Sequence, residues 1–318
     1  MTGYASGCSR PGQKPWRKKL LKYLCNWQLY LLLLPALVYF IVFRFAPMYG
    51  IQIAFRDFMP RHGFLGSEWV GLKHFERFFS SYYCIRMLKN TVMLSFGTLI
   101  FSFPFPILIA LTLNEVMNKS VKKVVQTITY APHFLSTVVL VGLIMSLTNV
   151  RYGLINQFLT MTGLSAGPIP FMDQAAWFKP LYILSAIWQE SGWNAVVYMA
   201  ALAAVDVQLY EAARVDGAGR LRCIWHVTLP CIAPIIITML ILNCGKVMNL
   251  GFEKVLLMQN DLNIASSDII STYVYEQGLK KGQYSYAAAV DLFNSVINTA
   301  LILSVNAISR RMSATSLW

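Results

Sequence analysis

The chain has 318 residues, 56% hydrophobic and only 13% charged, with a formal net charge of +13 and a mean hydropathy of +0.52. Soluble domains carry about 25% charged residues, so this composition excludes an ordinary soluble fold and points to an all-α integral membrane protein. The positive charge is read as topogenic Lys and Arg around the spans, so no nucleic-acid partner is expected.

In chain order, residues 1–26 form a basic N-terminal segment. Arg10, Lys14, Arg17, Lys18, Lys19 and Lys22 stand there without an acid. That cluster predicts a cytoplasmic N-terminus. Six apolar segments follow, each long enough for about 30 Å of hydrocarbon: 27–47, 91–113, 128–148, 181–204, 228–249 and 286–308. They make 27–318 one multi-pass transmembrane domain. An even number of spans returns the C-terminus to the cytoplasm. The first segment is not a cleavable signal, since it starts late and lacks a small-residue cleavage site. Pro104 and Pro106 are expected to kink span two.

Between the spans, the GLKHFERFF stretch predicts a short helix lying in the membrane interface, with Phe75, Phe78 and Phe79 on one side. Residues 149–180, rich in Gly and Pro, read as a structured outer loop. Residues 250–285, with the nearby Tyr286, carry tyrosines that suit either an interfacial belt or stacking on sugar faces.

The loop 206–230 is the exception among the connections. Glu211–Pro230 is a polar island between two apolar runs, placed by the counting of spans on the cytoplasmic side. Glu211, Ala212, Ala213 and Arg214 favour a helix over Leu209–Ala218. Gly217 and Gly219 end it, and Gly217 admits a positive φ. Asp216 and Ala218 flank that turn. Leu229 precedes Pro230, which suits the first turn of span five because its missing N–H costs nothing there.

No chemistry-bearing pattern competes. Walker A and HExxH are absent, as is any CxxC. The six cysteines give neither a metal nor a disulfide pattern. Cys84 is placed in an outer loop and Cys223 on the cytoplasmic side. No catalytic residue, metal or cofactor is assigned to the chain.

The spacing EAA, Gly217, then Val227 (where Ile is usual) and Leu229-Pro230 resembles the EAA loop of ABC-importer permeases. LYEAARVDGAG with HVTLP, IWQESGWNAVVYMAAL, YGLIN, TYVYEQGLKKGQYSYAAAVDLFNSVIN and NAISRRMSATSLW resemble the carbohydrate branch, the LplB/UgpA-type, MalF-like multiple-sugar permeases. The likeness covers about residues 30–318. It implies a type I importer fold with six transmembrane helices. It also implies a homologous second permease, two cytoplasmic ATPase subunits that bind ATP and Mg, an extracytoplasmic solute-binding protein, and a sugar substrate. Glu211, Ala212, Ala213, Asp216, Gly217, Ala218, Leu229 and Pro230 are then the ATPase-coupling residues.

Polar residues inside spans are expensive in lipid and therefore candidates for a substrate pathway. They are Gln189, Glu190 and Asn194 with Trp188 and Trp193 in span four, Asn243 and Lys246 in span five, and Asp291, Asn294 and Asn298 in span six. The last three lie on one helical face at i, i+3, i+7. The same residues also suit interhelical hydrogen bonding, and Lys246 with Asp291 suits an ion pair. His133 is read as a packing or hydrogen-bonding residue. A secondary transporter would normally show internal repeats, and a membrane enzyme a clustered acid/base or metal set. Neither is evident. A non-transporting sensor or scaffold subunit stays open from the residues alone.

Overall fold

The computed structural model describes residues 27–245, 247 and 250–312. The basic N-terminal segment, Lys246 and the last six residues lie outside them. Four continuous helices are long and apolar enough to cross a membrane: Gln28–Phe55, Tyr82–Glu115, Arg220–Cys244 and Tyr284–Ala307. Two bent pairs complete six spans, Lys119–Phe134 with Thr137–Leu147 at 103°, and Ala175–Ala203 with Val207–Val215 at 72°. A two-stranded antiparallel ribbon, Arg56–Asp57 against Glu68–Trp69, is the one sheet among the described residues.

The spans are longer than the apolar segments suggest, and span three differs in kind. The stretch 128–148 is not one straight helix. Pro132 has no N–H to donate, Ala131–Phe134 tightens into a 3-10 turn, and Leu135 turns extended. Ser136 then caps a new helix by accepting from the Val139 N–H. The first half, Lys119–Tyr130, is amphipathic and starts on an Asn118 cap. Span two bends only mildly at its prolines, as expected: Tyr82–Ser102 and Pro104–Glu115 meet at a bend at Phe103 within one span. Phe103 keeps helical angles, and Pro104 begins the next segment where its missing N–H is tolerated.

Span four, Ala175–Ala203, is the spine. It packs most extensively on the second half of span two. Its crossing with Lys119–Tyr130 is very close: a Cβ on Gly192 would meet the Thr129 carbonyl carbon at 2.5 Å, well inside contact distance, so only glycine fits. Leu94, Val141, Phe178, Tyr182, Val255, Met258 and Ile269 form one core. Ala110, Ala195, Tyr198, Leu202 and Ile232 form another. Span one has no buried residue in its apolar window. Leu32 is 79% exposed, as suits a helix surrounded by hydrocarbon or another subunit.

The helix Lys73–Phe79 packs on the body rather than floating in the interface. Phe78 is buried beside Cys84, Met87, Ile270, Tyr286 and Val290, while Phe79 stays exposed. Cys84 itself belongs to the span-two helix and is buried, not loop-borne. Tyr286 is also core, with its hydroxyl 3.1 Å from that of Tyr273, so these two rings are not open sugar platforms.

Candidate functional site

Two features stand out from the bundle, an elbow at one end of span five and a cavity of mixed polar and apolar lining between spans two, four and five.

The elbow begins where span four ends. Asp206 caps the helix Val207–Val215 by accepting from the Gln208 N–H at 2.9 Å. The helix therefore starts two residues earlier than Leu209 and stops earlier than Ala218. Gly217 has φ +76. Its N–H donates to Arg214 O, and the Ala218 N–H donates to Ala213 O at 2.9 Å. This pair of bonds is a Schellman ending, which needs the left-handed residue that Gly217 supplies. Gly219 has extended angles and starts the following helix instead of ending this one.

No residue of Val207–Val215 is buried. Val207, Leu209 and Val215 are exposed, the last at 87%. Glu211, Ala212 and Asp216 are exposed as well. A single hydroxyl contact, Tyr210 to Thr228 at 3.1 Å, ties the elbow to span five. Span five starts at Arg220 rather than 228, so Pro230 sits within a continuous helix. A π-helical turn, Ile224–Thr228, lies immediately before it. The Leu229 N–H reaches Ile224 O there, and Thr228 donates its hydroxyl to Cys223 O. The wider turn accommodates a proline ring that would crowd an α-helical one. Cys223 is buried beneath this turn.

The cavity encloses about 240 Å³. Glu190, Asn194 and Asn243 line it, together with Tyr182 and Tyr198 of span four and Ser95, Thr98 and Ser102 of span two. Of the sequence-predicted pathway residues that are described, these three meet there. Gln189 turns elsewhere and donates to the Leu135 carbonyl at 3.1 Å, closing the break in span three. Trp193 stacks on His133 at 4.7 Å. Trp188 is about half exposed and does not line the cavity. Asn294 and Asn298 are buried in span six. Asp291 is exposed and faces a separate groove of about 330 Å³ with Phe252, Tyr275 and Tyr284. The span-six stripe is thus split between packing and an outer groove. The Lys246–Asp291 pairing falls on a residue outside the described ones.

Sequence reasoning read His133 as a packing or hydrogen-bonding residue without naming its partner, and passed over Lys254 and Gly251. His133 Nδ1 lies 3.0 Å from Glu190 Oε2, so the span-three break holds the cavity carboxylate. Lys254 is buried, donates to Tyr182 O at 3.2 Å and sits 4.6 Å from that ring. The Gly251 N–H donates to the Tyr182 hydroxyl. Residues 251–254 therefore clamp span four from the long loop. Burial pushes the Lys254 ammonium down to about 8, partly offset by the charge of Glu190. The HFL and KVL contexts of these residues carry no spacing signal. Only tertiary packing reveals them.

The chain is a helical membrane bundle with an internal cavity and an exposed, capped elbow, and no metal-holding cluster occurs among the described residues. The chain belongs to the family described as binding-protein-dependent transport system inner membrane component, which it matches over residues 102–314. It is 47% identical to the Bacillus subtilis polygalacturonan/rhamnogalacturonan transport system permease YteP, covering 96% of this chain and 95% of that one. It is 45% identical to Bacillus subtilis LplB over 91% of each. A solved bacterial ABC transporter involved in import of the acidic polysaccharide alginate superposes with a TM-score of 0.85 at 39% identity, covering 94% of this chain and 100% of that one. The type I importer permease fold expected from the sequence is the fold observed.

Proposed function

We propose that this chain is one of two permease subunits of an ATP-driven, binding-protein-dependent importer of oligosaccharides, and that its substrates derive from an acidic plant or microbial polysaccharide. The observation that carries the import reading is the elbow. A helix of nine residues is bent 72° out of span four, rigidly capped at both ends, and buried nowhere. Such a surface suits insertion into a cleft on a cytoplasmic ATPase that binds ATP and Mg. Glu211, Ala212, Ala213, Asp216, Gly217 and Ala218 would meet that partner, with Leu229 and Pro230 anchoring the far side of the hinge. Both termini are then cytoplasmic.

In this scheme a sugar-loaded binding protein docks at the end of the bundle bearing residues 250–285. ATP closes the ATPase pair, and the elbow carries that motion into spans four and five as one body. The ATPase cleft supplies the differential contact that any coupled two-state device needs. The acidic-substrate reading is supported by the relatives. One is a polygalacturonan/rhamnogalacturonan permease, and another belongs to an alginate importer solved with a pentasaccharide-bound periplasmic protein.

Proteoliposomes containing both permeases, the ATPases and the binding protein test this. Uptake of a galacturonate oligosaccharide should require ATP, the binding protein and this chain. Uptake that persists without ATP, or without this chain, would refute the reading.

A further inference from the structure

Ser95, Thr98 and Ser102 stand at i, i+3, i+7 on one face of span two, and all three line the central cavity. The side-chain oxygen of each is buried and has no hydrogen-bond partner among the described residues. Hydroxyls farther along span two and on other helices behave otherwise. Thr112 donates to Leu108 O, Thr129 to Val125 O, Ser185 to Leu181 O, Thr238 to Pro234 O and Thr299 to Ser295 O. Bonding back one turn is the usual outlet for a helical hydroxyl, and leaving a buried one unmade is costly. Ser191 also lacks a partner but does not line the cavity.

We propose that Ser95, Thr98 and Ser102 form a binding track for sugar hydroxyls along one wall of the translocation path, opposite Glu190, Asn194 and Asn243. This rests on the import reading and assigns its substrate contacts to a span not suspected from the sequence. A hydroxyl both donates and accepts, so it pairs with a sugar hydroxyl in either sense. It carries no charge that would hold the cargo too tightly to release. From Ser95 to Ser102 the helix rises about 10 Å, longer than one pyranose ring, which suits an oligosaccharide. The three oxygens are buried in this structure, so the contacts form when the path widens around sugar. A contact made in one state and not the other shifts the equilibrium between them.

The test uses the complete importer in proteoliposomes with a galacturonate oligosaccharide as probe. Ser95→Ala, Thr98→Val and Ser102→Ala should each lower uptake about threefold to tenfold, the weight of one hydrogen bond. Thr98→Ser should restore it. The melting temperature of each variant should hold or rise, because an unpartnered hydroxyl has been removed. In a background with the native cysteines replaced by Ser, Thr98→Cys should react with a small water-soluble thiol reagent during turnover. Sugar-loaded binding protein should slow that reaction at least threefold relative to unloaded binding protein. Unchanged uptake in all three variants, or labelling indifferent to sugar, would overturn the track while leaving import intact. Failure of the unmodified importer to move sugar would remove the import reading and the track with it.

Discussion

The two ends of span five are built on opposite principles. Beyond its C-terminal end, residues 250–285 are tied into the rest of the chain. Asn263 is almost wholly buried and bonds Met172 O and Met258 O through its amide, while its carbonyl accepts from Asn260 N–H and the Ser267 hydroxyl. Asn90 reaches Ala265 O and Asp268 O, and Arg86 pairs with Asp268 at 2.7 Å. Burial pushes the Asp268 carboxyl up, and the Arg86 guanidinium pulls it partly back. At the other end, the elbow buries nothing and carries its order in two caps and one tyrosine contact. One end satisfies most of its polar groups within the chain, Gln283 Oε1 excepted. The other presents a finished surface for something else to cover.

The comparison breaks most visibly at the spine. Gly192→Leu should abolish monodisperse protein in size-exclusion chromatography, because its Cβ would fall inside the Thr129 carbonyl. Overpacking of even a relaxing core costs about 1–3 kcal/mol, and backbone does not relax like a side chain. Normal folding of this variant would show that the span-three crossing is looser than drawn.

Asn263→Ala should cost about 3 kcal/mol of stability by stranding buried carbonyls and a hydroxyl, read as a fall in melting temperature. Gly217→Asp should instead leave stability within about 1–2 kcal/mol, the cost of a left-handed non-glycine residue, while uptake falls at least tenfold. Equal stability losses in the two variants would erase the distinction between the ends.

A smaller effect concerns Lys254. Its folded value of about 8 lies below the ordinary 10.5. Above 10.5 the ammonium is neutral in both states and contributes nothing. Between 10.5 and 8 the unfolded chain holds the extra proton, so stability falls as pH falls, and below 8 the full penalty stands. The ceiling is on the order of 3 kcal/mol. Lys254→Met should therefore lose ground to the unmodified protein as pH rises from 7.5 to 9.5. A stability difference flat across that window would mean that Lys254 is well solvated.

The elbow was legible in the sequence because its signals are local. EAA favours helix, and Gly217 is needed where the chain turns left-handed. The six spans were legible from hydropathy, though their true ends were not, since helices run past the hydrocarbon and through Pro104 and Pro230. The break in span three had a signal that was passed over, Pro132 followed by the capping Ser136. The cavity was half legible. Glu190, Asn194 and Asn243 are conspicuous because charged and amide groups are rare in spans. Ser95, Thr98 and Ser102 are not, because small hydroxyls are ordinary in membrane helices and become notable only when their partners are counted. Asp291 faces a different groove from Glu190, because periodicity gives a face, not the neighbour that face meets.

Orientation and coupling meet at one residue. Val215 is 87% exposed at the tip of the elbow. In a background with the native cysteines replaced by Ser, Val215→Cys should react with a membrane-impermeant thiol reagent from the cytoplasmic side only. Assembly with the ATPase subunits should then protect it. Labelling from outside, or equal labelling before and after assembly, would contradict the placement of the elbow in the ATPase cleft.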